Sequence, residues 1–208
     1  MMAETAITAF VTLFVIIDPI GLTPIFVALT PGLSRGARNR IAIRAVLIAF
    51  AILCAFAFFG ETLLGAVGIG MPAFRISGGL LLFLIAVEML FEKRNPRRST
   101  QAEDPEPERD PSVFPLALPL LAGPGAMATI VLLMGEVEGD RTAQAMIVGV
   151  MASVLLIALG LFLISGVMER LLGRTGVNVV TRILGVLLAA LSVQFILDGL
   201  RASGLIGG

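Results

Sequence analysis

The residues of this sequence best suited to chemistry are carboxylates set among apolar neighbours. Asp18 precedes a proline inside a long apolar run, and Glu88 and Asp198 lie within or at the edge of two others. An ionised carboxylate in hydrocarbon is costly, so each must face the protein interior and there pair, hydrate or take a proton. Three roles stay open for Asp18: capping a helix that starts at Pro19, holding a substrate amine, or carrying a coupling proton. Arg75 and Arg182 begin two further apolar runs. They either anchor helix ends at the headgroups or close a gate by pairing with an acid, with Glu61 and Glu169 as candidate partners. Thr23, Thr129, Ser192 and Gln194 add hydrogen-bonding groups. The chain has no histidine and one cysteine, Cys54. No Cys-His, Ser-His or paired-carboxylate constellation appears, and no Gly-rich loop with Lys-Ser/Thr. The expectation is therefore no enzyme, no metal, no cofactor, no nucleotide engine and no nucleic-acid partner.

Apolar spans must position these residues. Hydrophobic residues make up 57% of the 208 positions and charged residues 14%, where a water-soluble domain carries about a quarter as charges. Mean hydropathy is +1.00. A helix needs about 20 apolar residues to cross the hydrocarbon core. Windows of that length fall at roughly 7–29, 41–60, 74–91, 112–134, 143–165 and 183–200. The first window lacks a basic leader and is too long for a signal peptide, so it is kept as a span. Twelve of the fifteen basic residues fall after the first, third and fifth spans. The positive-inside rule then places both termini outside the cytoplasm. Residues 93–111 are hydrophilic, basic at first and then acidic with three prolines, which predicts a linker. The organisation expected is a three-span unit over 1–92, a cytoplasmic linker over 93–111 and a second unit over 112–208. The basic cluster also suits contact with anionic lipid headgroups.

The two units look like copies. Asp18-Pro19-Ile20-Gly21 faces Gly123-Pro124-Gly125-Ala126, and Glu61-Thr62-Leu63-Leu64-Gly65 matches Glu169-Arg170-Leu171-Leu172-Gly173. Arg75-Ile76-Ser77-Gly78 matches Arg182-Ile183-Leu184-Gly185. Three spans per copy is an odd number, so the second copy must cross the bilayer in the opposite sense. The expected fold is an all-α membrane protein of six helices in two inverted three-helix repeats, an architecture common among secondary transporters. Proline and glycine predict breaks in the first and fourth spans near the bilayer centre. Broken helices at that depth offer backbone groups and partial charges to a small zwitterion. Candidate binding residues are Asp18, Pro19, Gly21, Thr23, Gly123, Pro124, Gly125, Thr129 and Gln194. Candidate coupling or gating residues are Asp18, Glu88, Arg75, Arg182 and Asp198.

These motifs resemble the MarC family of bacterial inner-membrane proteins. The resemblance is carried by Asp18 to Phe26, Leu118 to Ala126, Thr181 to Gly185, Gln194 to Gly199, and Gly78-Gly79 through Phe91. Many members of that family have Asn where this chain has Asp18. The resemblance implies a secondary transporter of small neutral amino acids, driven by protons, sodium or another cation. An uncoupled exporter or channel for small polar solutes is the alternative, and a homo-oligomer stays open.

Overall fold

A computed structural model describes residues 2–91 and 110–204, and within them all side chains but those of 2, 166–174 and 177. Most of the expected linker, and the side chain of Glu169, lie outside the described residues. Eight helical segments follow one another: α1 (Met2–Ile17), α2 (Pro19–Leu29), α3 (Arg35–Ala66), α4 (Met71–Leu90), α5 (Ser112–Leu121), α6 (Pro124–Glu136), α7 (Arg141–Leu163) and α8 (Ser165–Ala202). Helices α1 and α2 together form one apolar span, and α5 with α6 form another bent by 54°. With α3, α4, α7 and the Asn178–Ala202 part of α8 this makes up to six crossings. The chain is a multi-pass, all-α membrane protein.

Contacts between segment ends show that the crossings alternate. Arg38, near the start of α3, donates to Ser165 at the start of α8, and Arg44 pairs with Asp110 just before α5. These mark one end of the bundle, called here the basic end. At the opposite end Arg75, near the start of α4, meets Glu136 at the end of α6. Local chemistry sets several boundaries. Ser34 caps α3 by accepting from the Ala37 amide at 3.3 Å, and Asp140 caps α7 through the Thr142 and Ala143 amides at 2.9 and 3.1 Å.

Two expectations about boundaries change. Arg35, Arg38, Arg40 and Arg44 belong to the first turns of α3 rather than to a loop, because the Ser34 cap starts the helix before the apolar window. A loop was also expected between the fifth and sixth spans. Instead only Ile164 separates α7 from α8, whose backbone stays helical through Gly173 and Gly176. Glycine lowers helix propensity without forbidding helix, so Gly68 lies in the turn after α3 while Gly176 lies within α8.

The broken spans occupy the middle. In the first span 56% of the apolar window is buried, against 28–33% for α3, α4, α7 and α8. Residues Gly125–Met134 of α6 are almost all buried. The unbroken helices surround these and turn side chains such as Phe58, Phe59, Leu84, Leu156 and Ile183 outward. This arrangement follows from backbone chemistry. A break frees amides and carbonyls that lipid cannot satisfy, so irregular helices are tolerated only where protein shields them.

Helices α4 and α8 run antiparallel and meet most extensively of all pairs. A Cβ added to Gly79 would lie 2.8 Å from the Ser192 carbonyl oxygen, and one on Gly199 would lie 3.0 Å from that of Pro72. Gly79 and Gly199 therefore let the two backbones approach closely.

Candidate functional site

The first break is a single residue. Asp18 is fully buried, with φ 49° and ψ 64°, the left-handed region that Asp and Asn tolerate better than most residues. The helical ladder bridges it, since the Asp18 amide donates to the Phe14 carbonyl at 2.9 Å and the Leu22 amide to the Asp18 carbonyl at 3.0 Å. Pro19 takes the first helical position of α2, where its missing N–H costs nothing. The Gly21 amide donates to Asp18 Oδ1 at 3.0 Å. This is the expected helix cap, and it explains Gly21. A Cβ there would sit 2.0 Å from Asp18 Oδ2, so only glycine leaves room for the carboxylate. One turn on, the Thr23 hydroxyl donates to the Pro19 carbonyl at 2.9 Å, inside the same buried face.

The second break is wider. Phe114 and Leu118 are extended within α5, because each precedes a proline, Pro115 or Pro119, that disfavours the helical conformation. The remaining turns of α5 are wide, of the π type. Ala122 and Gly123 then turn the chain into α6, which starts at Pro124. Gly123 provides no side-chain cap. A Cβ on Gly123 would lie 2.5 Å from the Pro119 carbonyl oxygen. One on Gly125 would meet Ile85, Leu82 and Ile16, the last at 3.4 Å. Ile16 stands two residues before Asp18, so the breaks lie side by side. Thr129, one turn beyond Gly125, is fully buried and its hydroxyl has no hydrogen-bond partner.

Asp18, Pro19, Thr23, Gly125 and Thr129 thus lie buried at the core of the bundle, Gly21 and Gly123 are half-buried beside them, and Pro124 is exposed. The other candidates lie elsewhere. Gln194 and Asp198 are on the last turns of α8, where Gln194 Nε2 donates to Asp198 Oδ1 at 2.9 Å and Arg201 lies 3.3 Å from the same oxygen. Arg75 stands 3.3 Å from Glu136. Its acidic partner is therefore Glu136 rather than Glu61. Glu88 and Arg182 lie toward the basic end, where Gly185 packs on Met89.

Glu61 instead borders a cavity of about 380 Å³ at the opposite end, with Thr62, Val131, Met134, Glu138 and Gln144. Among the described residues no group of three or more His, Cys, Asp or Glu is placed to hold a metal. Sequence reasoning missed Glu136 as the partner of Arg75, and it missed the partners of Phe26. Phe26 in fact stacks on Phe162 of α7, with centroids 4.7 Å apart and planes 12° apart. The Arg38 guanidinium lies 5.5 Å from the Phe26 centroid. Phe26 and Phe162 are more than a hundred residues apart in sequence, so no local signal pointed to their stacking.

Two broken spans shielded by unbroken ones define a polytopic helical membrane protein built around irregular core helices. The comparisons agree with that class. Residues 3–203 match the MarC family of integral membrane proteins, and the chain belongs to that family. It is 35% identical over 198 residues to the UPF0056 membrane protein MJ1677 of Methanocaldococcus jannaschii, covering 95% of this chain and 96% of that one. It is 39% identical over 193 residues to a UPF0056 membrane protein of Archaeoglobus fulgidus, covering 92% and 90%. The UPF0056 membrane protein YhcE of Escherichia coli is 37% identical over 198 residues, covering 92% and 90%. No solved structure matches the chain.

Proposed function

We propose that the protein is a secondary transporter for small neutral amino acids, coupled to protons or another cation, in the cytoplasmic membrane (the inner membrane of a bacterium). The observation that carries this reading is the pairing of two broken spans at the shielded core, joined through Ile16 and Gly125. Backbone irregularity at membrane depth has a use when a polar solute must be met there. Asp18, Gly21, Thr23, Gly125 and Thr129 are the groups nearest that meeting point. The identity of the solute comes from the family resemblance.

An inverted repeat supports the same reading. Gly79 and Gly185 stand within one residue of matched positions in the two copies, while Gly78, the aligned residue, meets Ala128 and Leu132 of α6. Gly79 packs on Ser192 and Ile196 of α8, and Gly185 packs on Ala86 and Met89 of α4. Such reciprocal antiparallel contact is what a two-fold axis in the membrane plane predicts. The positive-inside rule then puts the basic end in the cytoplasm and both termini outside.

The test is amino-acid counterflow in proteoliposomes of the full chain, with proton and sodium gradients imposed separately. Exchange of alanine, glycine or serine is expected. A correctly folded protein that exchanges none of them rules the substrate class out, and flux indifferent to both gradients selects a passive exporter or channel. Asp18→Asn keeps a cap and tolerates the left-handed backbone, so counterflow should persist. Loss of proton-driven uptake in that variant assigns the coupling proton to Asp18; unchanged uptake removes it from that role.

A further inference from the structure

The cluster at the basic end has no place in the solute site, yet it joins four helices from both halves of the chain. Phe26 of α2 and Phe162 of α7 are stacked and each only 1% exposed. Arg38 of α3 covers Phe26, and its Nη2 donates to Ser165 Oγ of α8 at 2.8 Å. Phe26 lies on the buried face of α2 with Pro19, Leu22 and Thr23. At 1.5 Å per residue it stands about 12 Å along the helix from the first break at Asp18. A solute leaving that break toward the basic end would meet the aromatic pair.

We propose that Phe26 and Phe162, covered by Arg38 and braced through Ser165, form the closure of the pathway at the basic end. The proposal rests on the transport reading for its meaning, while its geometry stands independently. Its chemistry differs from that of the opposite end, where Arg75–Glu136 and the Asp198 cluster are ionic and in part exposed. Stacked rings exclude water and small polar solutes along their whole face. A guanidinium over a ring adds attraction that one side-chain rotation can release. No covalent or proton-transfer step is needed for it to open.

The test is chemical accessibility in the full chain, in sealed vesicles of known orientation and with Cys54 replaced by serine. Thr23→Cys places a thiol one turn inside the aromatic pair, and a membrane-impermeant maleimide is added from one face at a time. Little labelling from the basic end is expected with the rings intact. Phe162→Ala should raise the rate from that face by about tenfold, the scale expected from losing one aromatic contact. Arg38→Gln, which leaves no cavity, should raise it several-fold. Rapid labelling with the rings intact overturns the proposal. So does an equal rise from both faces, which reports loosening of the whole bundle. If Phe162→Ala does not fold, Arg38→Gln decides alone, and an unchanged rate there overturns the closure. Labelling needs no transported solute. A failed counterflow with ring-dependent protection would therefore count against the transport reading and leave the closure standing.

Discussion

The two breaks occupy matched positions in the chain but solve the same backbone problem differently. At the first, a carboxylate at the break itself accepts from the new helix, and the span continues without a large bend. At the second, prolines disrupt the approaching segment over several residues, the direction changes by 54°, and no side chain caps α6. The aligned residues record the difference. Asp18 corresponds to Gly123, and Gly21 corresponds to Ala126. Alanine is accepted at the second site because no carboxylate has to fit beneath it. The contrast teaches that a broken helix can be held either by a local anion or by enclosure, since α6 is wrapped in side chains almost throughout.

The largest effect should come from forcing the first break to resemble the second. In Gly21→Ala the new Cβ displaces the Asp18 carboxylate and leaves it buried without this donor. The loss should be about 3 kcal/mol, read as a fall in Tm of the purified protein and reduced yield of folded protein. A melting point unchanged by this substitution would mean that the cap contributes nothing. Gly125→Ala tests the enclosed break. Its Cβ meets the far ends of Ile85 and Leu82, which can rotate away, so the cost should be about 1 kcal/mol. A larger loss than that of Gly21→Ala would reverse the ranking of the two sites.

Thr129→Val asks whether the orphan hydroxyl is there for structure or for a ligand. Removing a buried, unpartnered group should leave stability unchanged or raise it by up to about 1 kcal/mol. Counterflow should weaken if the hydroxyl meets the solute. A lower Tm would instead assign it a structural bond.

The smallest effect concerns Asp110, which sits ahead of the second broken span rather than at its break. The Ser112 hydroxyl and amide donate to it at 2.6 and 2.9 Å. The Ser112 hydroxyl chiefly, with that amide and Arg44, holds its carboxyl below the ordinary value against partial desolvation. A depressed folded value stabilises the protein above about pH 4, where the unfolded carboxyl is ionised. That contribution is lost as pH falls through the folded value. Asp110→Asn should therefore narrow the stability difference between pH 7 and pH 3 by a small amount, since the pair with Arg44 is exposed. An identical pH profile in the variant would show that Asp110 makes no such contribution.

Much of this was legible in the residues. Apolar length fixes the number of spans, and Pro19, Gly123 and Pro124 mark the breaks, because both signals are local. The cap by Asp18 was legible too, since its chemistry acts over three residues. The unequal character of the breaks was less so. It depends on extended backbone at Phe114 and Leu118, two separate pre-proline effects whose sum shapes the whole segment. The partner of Arg75 was not legible either. Glu61 and Glu136 both stand near the same membrane face, and only the packing of α4 against α6 selects between them. The contact of Arg38 with Ser165 spans 127 residues and carries no sequence pattern.

The close crossing of α4 and α8 has a mechanical consequence. Where backbone approaches backbone at Gly79 and Gly199, only the tightly held Ile196 and Ile76 side chains fill the crossing, which leaves little rotamer freedom to absorb a displacement. The pair must move as one rigid spar. Any motion that parts the aromatic rings at one end, or the ion pairs at the other, has to be taken up by helices with yielding side chains between them. The spar is thus the stiff frame against which the two broken spans are packed.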